Sequence, residues 1–206
     1  MESELLRKLA SKSLTKEGLL QKVRENPGLI PEVLSGLSSS KAAIRYGCAK
    51  VLTDLSEEQP EELYPHMDSF LTLLDSKYRI LVWNAMVIIA NLAKVDKDRK
   101  FDAAFNKYYG FLNDEYMVTV ANVVGNSGKI ALAKPYLVQK ITRELLKVEN
   151  ISTTPHLTAE CKRVIAEKAI EYFGMFFDRI EAKDEVVSFV KRNKNSSRES
   201  LKTKSV

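Results

Sequence analysis

The 206-residue chain is 45% hydrophobic and 29% charged, with 8 Gly, 6 Pro and a formal charge of +5, the composition of one globular domain or one run of repeats. About 70% of the unfolded surface can be hidden at this length, so a core needs neither disulfide nor metal. Cys48 and Cys161 stand alone and no leader pattern opens the chain, which excludes a secreted disulfide scaffold and points to a reducing, cytoplasmic compartment.

The longest uncharged apolar run, residues 80–93, has 14 residues, short of the roughly 20 that cross a bilayer. Residues 191–206 carry six basic side chains against Glu199, a balance of +5 that equals the whole chain's, so residues 1–190 are net neutral. A basic pI here describes a tail rather than a nucleic-acid surface.

In chain order, helical spacing dominates and strand alternation is absent. Leu5, Leu6 and Leu9, then Leu19, Leu20 and Val23, mark two short amphipathic helices, with Ser13 or Thr15 placed to cap the second. A repeat follows. Pro31, Pro65 and Pro135 head similar apolar segments 34 and then 70 residues apart, and a further member is headed by Lys100, before Phe101. Each precedes a turn and a more apolar helix, expected over 41–55, 77–94, 114–129 and about 158–177. Residues 44–55 lie over 81–92 at an offset of 37, and a further 35 reaches 116–127. That alignment makes Asp54, Asn91 and Asn126 equivalent, with Asn84 and Thr119 two turns earlier. Paired helices at such a period stack into an α-solenoid, because one pair alone cannot bury its apolar faces.

Residues 150–156 are expected to be an inserted loop and 184–191 a fifth first helix. Residues 197–206 resemble the opening of a fifth second helix, in a chain that is either a truncated piece or one that ends in a frayed cap. The expected organisation is therefore N-terminal capping helices over 1–25, repeats over 26–181, and a partial fifth repeat or basic cap over 182–206.

The Leu-x-Pro-x-Leu first helices and the Ile-Arg or Val-Trp-Asn-Ala second helices resemble HEAT repeats, with Asp75 and Arg79 fitting that pattern's turn. The segments containing Asn91 and Asn126 are similar to the third helix of armadillo repeats. The resemblance implies an all-α, right-handed α-α superhelix of about four helix pairs. It also implies that Asn91 and Asn126 hydrogen-bond the backbone of an extended peptide; an amide carries donor and acceptor together with no charge to desolvate. The competing reading is that each Asn satisfies a neighbouring repeat. Trp83 lies eight residues before Asn91, so it is not the armadillo Trp and is expected in the core.

Catalytic signals are scarce. His66 and His156 have no partner at metal-ligand spacing, Gly125-Asn126-Ser127-Gly128-Lys129 reads as a helix end closed by Gly128, and both cysteines read as buried small hydrophobes. Residues 80–93 and 116–128 carry no charge, against a duplex-tracking surface. The resulting expectation is a non-enzymatic, monomeric, cytoplasmic scaffold without cofactor or metal. It holds a protein or peptide segment on a concave surface through Asn84, Asn91, Asn126 and Asp54; nucleic acid and membrane are not expected partners. The rival readings are a nucleic-acid-binding protein akin to HEAT-like DNA glycosylases and a structural piece of a larger solenoid.

Overall fold

The computed structural model describes residues 3–194, which form twelve α-helices. No β-strand is present among the described residues, only a bridge between Thr154 and Leu157. The expected helix over 197–206 and most of the basic tail lie outside the described residues. The chain divides into two compact units, residues 1–101 and 102–206.

In the first unit, α1 (Glu4–Ala10) and α2 (Lys16–Glu25) start on hydroxyl caps: Leu6 N donates to Ser3 Oγ and Gly18 N to Thr15 Oγ1 at 3.0 Å. α3 (Ile30–Gly36) follows a 3-10 turn and has Pro31 in its first turn, where a missing N–H costs nothing and φ is already helical. α4 (Ala42–Glu58) is the long partner on which α1, α2 and α3 pack. α5 (Pro60–Leu63) and α6 (Met67–Leu73) are joined by the turn holding Pro65, and α6 packs on α7 (Arg79–Leu92), which in turn packs on α4. Leu19, Val23, Ile30, Val33, Ile44, Leu52, Leu55, Leu63, Phe70 and Ile89 form the core, each 2% exposed or less.

The loop after α7 is fastened by Asp96, which is buried. Its carboxylate accepts from Lys100 N at 2.9 Å and Phe101 N at 3.0 Å, and lies 3.1 Å from the Tyr64 hydroxyl. This caps α8 (Lys100–Gly110) with a charge at the positive end of the helix.

In the second unit, α9 (Met117–Ala133) and α11 (Ala159–Phe176) are the long helices and pack on each other; α10 (Val138–Leu146), opened by the turn at Pro135, packs on both, and α12 (Lys183–Lys194) packs on α11. Phe105, Tyr108, Val120, Val123, Ile141, Leu145, Phe173 and Phe189 are buried at its centre. The segment before α11 is the expected loop. It is tied to the start of α9 by Thr154 Oγ1 donating to Glu115 O at 2.6 Å, Met117 N donating to His156 O at 3.1 Å, and stacking of His156 on Tyr116 at 4.3 Å.

One expected boundary moves. α9 does not stop at Gly128 but runs five residues further. Gly128 is a packing site: a Cβ there would lie 2.3 Å from Tyr172 Cδ1, so the missing side chain lets α11 approach the backbone of α9.

Candidate functional site

The burial pattern of α4, α7 and α9 fixes which of their residues correspond. α4 lies over α7 at the expected offset of 37: Ala43 and Ile80 are exposed, Ile44 and Leu81 buried, Tyr46 and Trp83 half-buried, Glu57 and Lys94 exposed. From α7 to α9 the offset is 38 rather than 35. At 38, Ile80 meets Val118 (both exposed), Asn84 meets Asn122 and Val87 meets Gly125 (all half-buried), and Lys94 meets Leu132 (both exposed). The same shift superposes a hydrogen bond: Asn84 Nδ2 donates to Ile80 O at 2.6 Å, and Asn122 Nδ2 to Val118 O at 2.8 Å. A three-residue slip rotates a helix by only about 60° from a full turn, so the 35-residue alignment places similar letters on nearly the same face. At this offset Asn91 corresponds to Lys129 and Asn126 to Ile88, so Asn91 and Asn126 do not occupy equivalent positions of their helices.

Nor do these two face water. Asn91 is 6% and Asn126 7% exposed. Asn91 Nδ2 donates to Ser56 Oγ at 2.9 Å, and Ser56 Oγ donates on to Thr53 O at 2.6 Å. Asn126 Nδ2 donates to Asn122 O at 2.8 Å, and its side chain also hydrogen-bonds Tyr108. Both amides satisfy polar groups inside the helix packing, as buried amides must. Asn84 is half-buried and binds its own unit: Thr53 Oγ1 donates to Asn84 Oδ1 at 2.8 Å. Asp54 holds Lys50 one turn away at 2.6 Å.

On α9 the half-exposed amide is Asn122, the counterpart of Asn84, which the three-residue slip conceals in the sequence. Its Nδ2 is held on Val118 O, and its Oδ1 accepts no hydrogen bond among the described residues. The signal was available in Trp83-Asn84 lying over Ala121-Asn122 at offset 38. Around it, α9 presents Val118 and Leu132, 46% and 43% exposed, with Gly125 and Lys129 between them. Apart from its chain neighbours and its own helix backbone, no atom of the described residues lies within 4 Å of the Cβ position of Gly125. A mid-helix glycine costs about 0.5–1 kcal/mol relative to alanine, and at Gly125, unlike Gly128, no neighbour among the described residues requires it.

Other candidate residues resolve differently from expectation. Trp83 is half-buried rather than core. Cys48 is fully buried and its thiol is pushed up to about 12 by burial, helped by Glu32, whereas Cys161 is half-exposed in the first turn of α11. Arg45, a cation that would have counted toward a nucleic-acid groove, is 5% exposed; its Nη1 donates to Ser39 O at 2.7 Å and the guanidinium lies 3.8 Å over the Tyr78 ring. Among the described residues no three His, Cys, Asp or Glu side chains gather as a metal site, and no helix is long and apolar enough to cross a membrane.

No family of known proteins matches the sequence, and no curated protein does. Solved structures match its fold. A designed armadillo repeat protein superposes with a TM-score of 0.64 at 19% identity, over 97% of this chain and 88% of that one. Another, described as in complex with the peptide (KR)4, superposes at 0.67 and 17% identity over the same shares. A third, a computationally designed armadillo protein for modular peptide recognition, superposes at 0.64 and 17% identity, again over 97% and 88%. The fold is an all-α, armadillo-like repeat solenoid.

Proposed function

We propose that the chain is a non-enzymatic interaction scaffold that holds an extended protein or peptide segment against the open faces of its long helices. The observation that carries this reading is the bare stretch of α9 around Gly125. Helix stability is given up there with nothing among the described residues filling the space, and absence of a side chain lets another backbone come close. Asn122, one turn away, offers an unengaged carboxamide oxygen to a peptide N–H, and Val118 and Leu132 flank it with apolar surface.

In the first unit the corresponding face is Ile80, Trp83, Asn84 and Val87. Asn84 and Asp54 remain contact candidates because they are half-buried, while Asn91 and Asn126 act from below, as positioning residues. The α7 face lies in an uncharged stretch and the α9 face carries one charge, Lys129, so their partner is read as an uncharged or mixed segment. Designed armadillo proteins described with peptides support the class of partner. The two unpaired thiols fit a cytoplasmic location.

The test is selection of random peptides on the intact chain, followed by titration of the selected peptides against Val118→Glu and Ile80→Glu, both at exposed positions. Loss of about tenfold or more in affinity, equal to about 1.4 kcal/mol, is expected for at least one variant. Selected peptides indifferent to both substitutions would overturn the reading.

A further inference from the structure

A second surface lies on the first unit, where α1, α2 and α4 meet. Leu9, Leu14, Ala42, Ala43, Tyr46 and Gly47 line a mostly apolar cleft of about 590 Å³ between α1, the start of α2 and the start of α4. That size is within the range of ligand-binding clefts, and its apolar lining offers burial to a large hydrophobic side chain.

The rim is basic. Lys12, Lys16 and Glu17 are its charged residues. The Glu17 carboxylate is turned onto its own helix start: its own backbone N–H, then the Thr15 hydroxyl, hold it below the usual carboxylate range, with weaker attraction from Lys16 and Lys50. Nearby lysines are matched, Lys8 by Glu4 and Lys50 by Asp54, each at 2.6 Å. The Lys12 ammonium pairs with no carboxylate among the described residues.

Lys12 is also strained. Its φ is 62°, the left-handed region that disfavours an L-residue and that glycine enters freely. The turn is fixed there by Lys12 N donating to Leu9 O at 3.2 Å and Leu14 N to Lys8 O at 3.1 Å. A lysine where glycine would be more stable places an unmatched positive charge at the mouth of an apolar cleft, and strain of this kind gathers at binding sites.

We infer that this cleft docks an acidic protein segment, which inserts a leucine- or phenylalanine-sized side chain among Leu9, Leu14, Ala43 and Tyr46 and sets its carboxylates against Lys12 and Lys16. The apolar anchor supplies affinity, and the charges select sign and speed encounter.

The experiment titrates fluorescein-labelled synthetic peptides into the full chain and reads anisotropy. One peptide alternates glutamate with leucine, a second replaces glutamate by lysine, and a third replaces leucine by serine. The glutamate–leucine peptide is expected to bind, and the other two to bind about tenfold more weakly or less, about 1.4 kcal/mol each. Ala43→Phe, at an exposed position, fills the cleft and is expected to abolish binding. Lys12→Gly with Lys16→Gln is expected to weaken it about fivefold or more while raising the melting temperature, because the strain at residue 12 is relieved. Equal binding of the lysine peptide, indifference to Ala43→Phe, or binding only to phosphatidylserine vesicles would overturn the assignment. Because the variants here leave α7, α9 and Asp54 unchanged, and Val118→Glu and Ile80→Glu leave the cleft unchanged, running both sets against both kinds of peptide distinguishes failure of this site from failure of the function proposed above.

Discussion

Asn91 on α7 donates a hydrogen bond to Ser56 on α4 across 2.9 Å, inside the packing and 35 residues apart in the chain. The amide closes a chain of hydrogen bonds, since Ser56 Oγ donates in turn to Thr53 O. Asn91→Ala strands part of this hydrogen-bond chain and should cost about 1–3 kcal/mol of unfolding free energy. The double variant Asn91→Ala with Ser56→Ala should cost less than the sum of the two single changes. Urea titration of the four proteins in a double-mutant cycle checks this.

The two glycines of α9 should respond with opposite sign. Gly128→Ala drives a Cβ to within 2.3 Å of Tyr172 and should destabilise by about 1–3 kcal/mol through overpacking. Gly125→Ala meets open space and should stabilise by about 0.4–1 kcal/mol. Thermal melts of both, run side by side, separate the packing glycine from the open one.

Asp96→Ala removes the acceptor of two backbone N–H groups at the start of α8 and a neighbour of the Tyr64 hydroxyl. A loss of about 2 kcal/mol, the upper end for a lost helix cap, is expected. Asp96→Asn, which keeps one acceptor oxygen, should lose less in the same denaturant titration.

Alkali should unfold the protein through groups kept neutral inside it. Burial lifts Cys48 to about 12 from an ordinary 9.0, and burial likewise lifts Tyr108 and Tyr109 above their ordinary 10.0. Below the ordinary values both states hold these protons and stability is unaffected. Above them the unfolded chain releases protons that the folded one retains, so stability falls as pH rises from about 9 towards 12. Denaturant midpoints at about pH 8 and about pH 11 should differ in that direction, and tyrosinate absorbance should appear together with unfolding. At the lower pH a thiol reagent should modify half-exposed Cys161 readily and Cys48 only after denaturant is added.

The helices were readable because their cores repeat at helical spacing: α4, α7 and α11 begin and end within three residues of the expected positions. What resisted was set by contacts distant in sequence. Gly128 carries the local signature of a helix stop, but Tyr172, 44 residues on, turns it into a point of close approach. Asn91 and Asn126 look alike in sequence, yet only packing reveals that each is enclosed and that on α9 Asn122 is the half-exposed one. A slip of three residues keeps hydrophobic letters nearly aligned, so composition alone did not betray it; the alternation of exposed and buried positions did.

The most direct test of the account compares Asn122→Ala with Asn126→Ala, using a peptide selected on the intact chain. Asn122→Ala should leave the melting temperature nearly unchanged and weaken the peptide by about fivefold or more, the loss of one hydrogen bond of about 1 kcal/mol. Asn126→Ala, which strips Tyr108 of a partner in the core, should lower stability by about 1–3 kcal/mol. A peptide that ignores Asn122→Ala, together with an Asn126→Ala protein of full stability and impaired binding, would contradict the account and return the site to the residue that sequence alone had favoured.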